Sequence, residues 1–304
     1  MPANPLRTQK AVIPVAGLGT RLLPATKQQP KEMLPVFCVD LANGLCLKPV
    51  VQQIFEQLFD CGMRDFYFVV GREKRAIEDH FSPDSEFIRR LNSHGRNGRT
   101  ADLEQFYRRI EQSTIVWVNQ PRPQGFGDAV LRVEPLIGRE PFLVNAGDTY
   151  MISTLNDVPM RLAQAHTRTG AEATLALKEV DDPRQYGVAE VGDQEEDGFN
   201  VRRVAEKPSQ PASNLAIMPF YLFNSTIFEA LRNTERDRAG ELQLTDAIQK
   251  LIEMGHIVKA IELDGDYLRI DVGSPDIYWE SLKLSHQYAS SRQKMNRILC
   301  QSRV

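Results

Sequence analysis

Short apolar runs alternate with segments of helical period along the first 180 residues of the chain. The runs predict strands at 11–15, 65–70, 114–118, 141–145 and 173–178. The segments between them place apolar residues three and four positions apart, which predicts amphipathic helices. These helices are expected at 48–60, 73–81, 101–111, 128–136 and 155–168. Strands that alternate with helices favour an α/β fold, a Rossmann-like and mostly parallel (mixed) sheet flanked by helices.

The pattern changes beyond residue 180, where strand-like segments follow one another closely. Strands are predicted at 186–191, 199–204, 214–223, 256–263 and 267–271, and helices at 244–253 and 274–296. Neither an internal repeat nor a low-complexity linker interrupts the chain, so one continuous domain is preferred over two. We expect the second half to build the floor for a second ligand on the same sheet.

Composition narrows the class of protein. The chain has 304 residues, of which 42% are hydrophobic and 25% are charged, as is ordinary for a globular enzyme. The formal net charge of −3 indicates neither a nucleic-acid partner nor an anionic membrane surface. An apolar leader is absent, and so is any run of about 18 apolar residues that could cross a membrane. We therefore expect a cytoplasmic protein.

The cysteine pattern supports the same location. The four cysteines are Cys38, Cys46, Cys61 and Cys300. They form no C-x-x-C pair and no dense framework, which favours a reduced cytosolic protein over a secreted one. Cys38 and Cys46 could meet across a loop, although nothing in the sequence requires it.

The first predicted strand leads into a glycine loop with basic residues behind it. Gly17 and Gly19 are followed by Arg21, Lys27 and Lys31. Glycines let backbone N–H groups approach an anion, and the cations supply the countercharge that a polyphosphate needs. Neither a dinucleotide fingerprint nor a Walker A loop is present. Taken alone, this G-x-G is compatible either with a phosphate site or with a simple strand-to-helix turn.

Two aspartates directly follow apolar strands. Asp148 comes after the strand at 141–145, and Asp271 ends the strand at 267–271. Carboxylates at strand ends suit Mg²⁺, which accepts one or two carboxylates and takes phosphate oxygens as its other ligands. The alternative is that each aspartate only caps a turn.

A longer pattern of residues around the glycine loop favours the phosphate site. It reads G-x-G-T-R-x-x-P-x-T-K-x-x-P-K-x-M from Gly17 to Met33. This pattern closely resembles the signature of the sugar-1-phosphate nucleotidylyltransferases, and similarity continues from residue 11 to about 278. The segments GFGDAV, YGVAEV, EKP, SNLAI and GELQLTDAI follow in the family's order. Within the family, the sequences of these segments are most similar to those of members that use UTP and glucose 1-phosphate.

The resemblance implies a reaction and a role for each matching residue. A sugar-1-phosphate oxygen would attack the α-phosphorus of the triphosphate, and pyrophosphate would leave. Catalysis is assigned to Arg21 and Lys31, nucleotide binding to Ala16, Gly17, Leu18, Gly19, Gln120 and Gly125, sugar-phosphate binding to Gly187, Glu206 and Lys207, and Mg²⁺ to Asp148 and Asp271. The nucleotide half would span about 8–150 and the sugar half about 151–280 of a single domain 1–304. Homo-oligomers, dimers or tetramers, are also implied by the resemblance.

Some positions depart from the family pattern. Asp128 stands where relatives usually have His, Phe126 replaces Leu, and Pro219 stands where many have Gly beside the sugar. The segment 37–47 is additional and is expected to form a surface extension, with a lid as the less favoured alternative. Two other functions therefore stay open: another nucleotide or hexose 1-phosphate, and a non-catalytic paralogue that binds a nucleotide sugar.

Overall fold

The computed structural model describes residues 9–93, 100–153, 157–196, 198–263, 265 and 267–301. Its strands are β1 (Lys10–Pro14), β2 (Pro35–Val39), β3 (Leu45–Pro49), β4 (Asp65–Val70), β5 (Thr114–Asn119), β6 (Phe142–Asn145), β7 (Thr149–Ile152), β8 (Ala173–Glu179), β9 (Gly187–Glu195), β10 (Gly198–Glu206), β11 (Leu215–Phe223), β12 (Val258–Glu262) and β13 (Leu268–Asp271). Its helices are α1 (Val50–Asp60), α2 (Arg75–His80), α3 (Ser85–Ser93), α4 (Ala101–Glu111), α5 (Phe126–Leu131), α6 (Glu134–Ile137), α7 (Val158–Thr169), α8 (Thr226–Arg232), α9 (Leu244–Glu253) and α10 (Pro275–Gln301). The predicted start of the helix at 155 lies outside the described residues.

Within the described residues, the main sheet has nine strands in the order β5-β4-β1-β6-β11-β8-β12-β10-β9. Ladders between β5, β4, β1 and β6 are parallel, and so is the ladder between β8 and β12. Strand β11 runs antiparallel to both β6 and β8, and β10 runs antiparallel to β9 and β12. The α/β fold with a mixed sheet is therefore confirmed, and its parallel part is mostly in the first half.

Apolar layers cover both faces of this sheet, which explains the continuous apolar runs of the sequence. On β1, Ala11 and Ile13 join the layer formed with α1, α7 and β4, whereas Val12 joins the layer formed with α5, α8 and α9. All three side chains are fully buried. A strand buried on both faces has no polar alternation, because each successive side chain enters an apolar layer.

Two segments differ in detail from the prediction. The helix expected at 128–136 is divided into α5 and α6, because Pro135 lacks the N–H that a continuous helix would use. The additional segment 37–47 belongs to a hairpin of β2 and β3 at the surface. This hairpin is attached to α10, since the Asn43 side-chain amide donates to the backbone carbonyl of Gln293 at 3.1 Å and the Gln293 side-chain amide donates to the backbone carbonyl of Asn43 at 2.8 Å.

None of the helices in the described part of the chain is long and apolar enough to span a membrane.

Candidate active site

The loop after β1 and the loop after β6 lie together, because the two strands are parallel neighbours. Gly147 donates its N–H to the carbonyl of Pro14 at 3.1 Å, which ties the loops to each other. Gly19 has a φ of +65°, a conformation that favours glycine. The Thr26 hydroxyl donates to the Gly19 carbonyl at 2.7 Å and closes the loop. The carboxyl edge of the sheet thus carries the glycine loop beside Asp148, as expected for an α/β ligand site.

Lys31 reaches this edge from a short 3-10 helix, Lys31–Met33. Its ammonium forms an ion pair with the carboxylate of Asp148. Burial would lower the pKa of Lys31, but the charge of Asp148 reverses this effect and holds the pKa above its usual range. Burial would likewise raise the pKa of Asp148, and Lys31 holds it below its usual range. Both groups are therefore charged at neutral pH, and each compensates for the other's loss of solvation.

Asp271 joins the same site through the strand pair of β7 and β13, in which it lies opposite Thr149. The Thr149 hydroxyl lies 3.2 Å from a carboxylate oxygen of Asp148 and 3.2 Å from one of Asp271. The guanidinium of Arg269 pairs with Asp271 and donates to the Tyr186 hydroxyl at 3.0 Å. Burial raises the pKa of Asp271, with Arg269 opposing this effect. The structure thus brings both predicted metal ligands together, and each carboxylate is paired with a cationic side chain, Lys31 or Arg269.

This donor set fits a magnesium ion that has few protein ligands. Among the described residues, no group of three or more His, Cys, Asp or Glu side chains could enclose a metal. Asp148 and Asp271 offer two carboxylates on adjoining strand ends instead. Mg²⁺ is commonly held in this way, because phosphate oxygens and water complete its octahedron.

Gln120 and Asp128 form a buried pair on the other side of the glycine loop, each with a relative exposure of 4%. The Gln120 amide nitrogen donates to Asp128 at 2.8 Å and to the Gly125 carbonyl at 3.2 Å. The carboxylate of Asp128 also accepts bonds from Arg132 at 3.0 Å and Arg236 at 3.3 Å. Burial would raise the pKa of Asp128, but the bonds from Gln120 and Arg132 bring it below its usual range. The amide nitrogen of Gln120 is therefore occupied, and its amide oxygen is the atom that can accept a hydrogen bond from a ligand.

Gly125 is required by its surroundings. It has a φ of +102°, and a Cβ there would lie 2.4 Å from the carbonyl oxygen of Leu242. Gly127 donates its N–H to that carbonyl at 2.8 Å. The segment before α9 therefore closes the loop that carries Gln124 to Gly127.

The predicted sugar residues lie near the opposite end of the site. Gly187 and Glu206 are direct partners in the ladder of β9 and β10. Glu206 accepts a hydrogen bond from Thr245 at 2.7 Å, and the Lys207 ammonium lies 3.0 Å from its other oxygen. Lys207 has a φ of +41°, which is uncommon outside glycine and often marks a functional site. Pro219, the departure from the family pattern in β11, accepts the N–H of Ala146 at 3.2 Å with its carbonyl.

These residues line two adjoining clefts. The first, called the nucleotide cleft after its expected ligand, has a volume of about 340 Å³ and is lined by Pro14, Ala16, Gly17, Leu18, Gly19, Thr20, Lys31, Glu32, Gln120, Pro123, Gly125, Phe126, Ala129, Ala146, Asp148 and Glu241. The second, called the sugar cleft in the same way, has a volume of about 330 Å³ and is lined by Gly19, Thr20, Arg21, Lys31, Asp148, Gln185, Tyr186, Lys207, Arg269, Asp271, Gly273 and Ile277. All six predicted nucleotide residues line the first, and Lys31 and Asp148 line both. Glu206 directly precedes Lys207, which lines the second cleft, and Gly187 is the ladder partner of Glu206.

Sequence reasoning missed several of these side chains. Arg269 could have been found, because it lies two residues before Asp271 on one strand and so shares its face. Tyr186 lies in the segment YGVAEV, and Glu241 and Thr245 lie in GELQLTDAI, so the resemblance marked these segments but assigned the three side chains no role.

The fold, the clefts and the sequence define a nucleotidyltransferase, and the chain belongs to the nucleotidyl transferase family, whose sequence profile matches residues 10–287. The family expected from the glycine-loop signature is confirmed. The chain is similar to the UTP–glucose-1-phosphate uridylyltransferase YngB of Bacillus subtilis, with 36% identity over 271 residues, 88% of this chain and 86% of that protein.

Solved structures give the same assignment. One is a UDP-glucose pyrophosphorylase complexed with UDP-glucose, with 30% identity, a TM-score of 0.77, and coverage of 93% of this chain and 99% of that chain. Another is a UTP-bound UGPase from Acinetobacter baumannii, with 29% identity, a TM-score of 0.76, and coverage of 90% of this chain and 92% of that chain.

Proposed function

We propose that this chain transfers the uridylyl group of UTP to glucose 1-phosphate and forms UDP-glucose and pyrophosphate. The observation that carries the proposal is the junction of two clefts at Lys31 and Asp148. A nucleotide in the first cleft and a sugar phosphate in the second would meet there. The relatives named for these substrates match nearly the whole chain, which supports the same pair of substrates.

Gln120 is proposed to select uracil. Its amide nitrogen is held by Asp128 and by the Gly125 carbonyl, so its oxygen faces the nucleotide as an acceptor. Uracil has a donor at N3, whereas cytosine has an acceptor there. The fixed amide should therefore accept from UTP and repel CTP.

Lys31, which lines both clefts, and Arg21, which lines the sugar cleft, are proposed to neutralise the triphosphate and the departing pyrophosphate where the two clefts meet. Phosphoryl transfer needs positioning and charge stabilisation more than covalent catalysis. Lys31 lines both clefts, so its ammonium can stabilise negative charge both on the α-phosphate and on the leaving pyrophosphate. An ion pair with Asp148 keeps its ammonium in place.

Asp148 and Asp271 are proposed to hold Mg²⁺, with Thr149 between them. When bound, the ion would supply further neutralisation of phosphate charge at the junction of the clefts. The two carboxylates would exchange their present partners, Lys31 and Arg269, for that ion. Both cations would then be available to the phosphates of the two substrates.

Lys207 is proposed to bind the phosphate of the sugar, and Glu206 to accept hydrogen bonds from its hydroxyls. Thr245 orients Glu206 by donating to one of its oxygens at 2.7 Å. The variant Lys207→Ala should raise the KM for glucose 1-phosphate much more than the KM for UTP. Equal increases in both constants would reject this role.

A pyrophosphate-release assay tests the proposed function. UTP, dTTP, CTP and ATP would be combined with glucose, galactose, mannose and N-acetylglucosamine 1-phosphates. We expect the highest kcat/KM for UTP with glucose 1-phosphate, and a maximum for any other combination would overturn the proposal. Lys31→Ala should lower that value by about 100- to 1,000-fold. Lys250→Ala, which removes a lysine from a surface pair on α9, is the matched control.

The cytoplasmic location, the homo-oligomeric state and the single-domain organisation stay predictions.

A further inference from the structure

Cys38 and Cys46 face each other across the hairpin of β2 and β3. They are direct partners in its ladder, and their sulfur atoms lie 3.1 Å apart. Opposed residues of an antiparallel pair have Cα atoms about 4.5–5.5 Å apart, which is within the range that a disulfide spans. The two thiols can therefore be joined without a rearrangement of the backbone.

We propose that Cys38 and Cys46 form a reversible oxidative modification site that reacts with a low-molecular-weight disulfide. The Cys46 thiolate attacks one sulfur of the reagent, forms a mixed disulfide and releases one thiolate. Cys38 then loses its proton to solvent and attacks the Cys46 sulfur, which releases the second thiolate. In total, the pair gives two electrons to the reagent, which leaves as two thiolates, and these take up protons from solvent.

The surroundings of the pair assign these two roles. The hydrogen bond with Cys38 lowers the pKa of Cys46, and the charge of Lys48 adds to this effect. The same bond, together with burial, raises the pKa of Cys38. Thiolates rather than thiols are the nucleophiles in disulfide exchange, so Cys46 should react first.

A reagent can reach the pair. Both side chains are partly exposed, and Cys38 also lines a cavity of about 340 Å³ between the hairpin, α1, α4 and α10. Cys61 is a useful contrast, because burial raises its pKa to about 12. A thiol with so high a pKa reacts slowly at neutral pH.

The cross-link would stiffen the hairpin and its attachment. The hairpin begins directly after the 3-10 helix that carries Lys31. It is bound to α10 by the reciprocal bonds of Asn43 and Gln293, and by the N–H of Phe37, which donates to Ser285 at 3.3 Å. A covalent bond between β2 and β3 should therefore reduce opening of the hairpin.

The test uses full-length protein in which the double change Cys61→Ser and Cys300→Ser leaves only the pair. The reduced protein is incubated with oxidised glutathione, quenched in acid and mapped by mass spectrometry. We expect a peptide that links Cys38 to Cys46, loss of both free thiols, and full reversal by dithiothreitol. Adding Cys38→Ser to this protein should leave glutathione on Cys46, whereas adding Cys46→Ser should leave Cys38 mostly unmodified.

Several results would overturn the inference. Absence of the link, or glutathione on both cysteines without a link, would show that the pair cannot close. Faster labelling of Cys38 in the Cys46→Ser protein than of Cys46 in the Cys38→Ser protein would reverse the assigned order. Hydrogen exchange tests the stiffening: amides of 37–47 should exchange more slowly after oxidation, and those of β4 should not change. Unchanged hydrogen exchange in the hairpin would reject the proposed stiffening.

Discussion

Asp128 is expected to set base selectivity without touching the base itself. Its carboxylate accepts the Gln120 amide nitrogen at 2.8 Å, which leaves the amide oxygen toward the nucleotide cleft. To accept CTP, Gln120 would have to rotate its amide. Its oxygen would then face a carboxylate, so the rotation is opposed by loss of a hydrogen bond and by repulsion. The variant Asp128→Ala removes both obstacles.

The size of the effect follows from the bond that is lost. A hydrogen bond to a charged group contributes about 1.5–3 kcal/mol. Each 1.36 kcal/mol corresponds to about a tenfold change in rate. The ratio of kcat/KM for UTP to that for CTP should therefore fall by about 10- to 100-fold. Most of the change should come from better use of CTP, because UTP already matches the present amide orientation.

The assay is initial-rate pyrophosphate release with each triphosphate at saturating glucose 1-phosphate. Asp60→Ala is the matched control, since Asp60 also accepts a bond from an arginine, Arg109 at 2.9 Å, but lines neither cleft. Thermal unfolding would establish that both variants are folded. A ratio in Asp128→Ala within about twofold of the parent would refute the orienting role.

Three further predictions concern stability and metal use. Lys74→Met should lower the free energy of unfolding in urea by about 3–5 kcal/mol, because Glu32, which is 1% exposed, loses its partner at 2.7 Å. A second change, Glu32→Gln, should recover most of the loss. A Lys74→Met variant as stable as the parent would contradict this prediction. Burial lowers the pKa of His80 from 6.5 to about 4, so the unfolded state takes up a proton more readily than the folded state between these pH values. Tm should therefore fall as the pH is lowered from 6.5 toward 4. His80→Gln should reduce this dependence of Tm on pH, and an unaltered dependence would exclude His80 as its source. Asp148→Asn and Asp271→Asn should each abolish Mg²⁺-dependent turnover, and full activity in either would reject that ligand.

The sequence was most informative where one local pattern has one physical cause. Strand β4 was predicted at its observed limits, because the five buried residues that follow Asp65 form the unbroken apolar run expected of a strand that is covered on both faces. The glycine loop was recognisable through its longer family pattern, and the structure supplies a local reason for Gly19, whose backbone conformation other residues seldom adopt.

Contacts between distant residues could not be predicted in the same way. Lys74 and Glu32 are 42 residues apart, and neither position carries a sign of the other. The antiparallel course of β11 also depends on how the chain crosses the sheet, which strand periodicity does not encode. Asp128 looked like a departure that weakened base recognition, but the structure places it where it fixes the amide of Gln120.

The charge arrangement at the junction of the clefts links the two proposed ligands. Lys31 neutralises Asp148 and Arg269 neutralises Asp271, so the four charges balance. A triphosphate in the proposed site would compete with Asp148 for Lys31 and would leave that carboxylate free for the proposed Mg²⁺. Lys31 would likewise be free for the phosphates where Asp148 served as a metal ligand. Because binding free energies are reciprocal, each of the two ligands would then raise the affinity for the other by the same factor. The ion pairs therefore compensate the buried charges, and the proposed site should bind nucleotide and metal cooperatively.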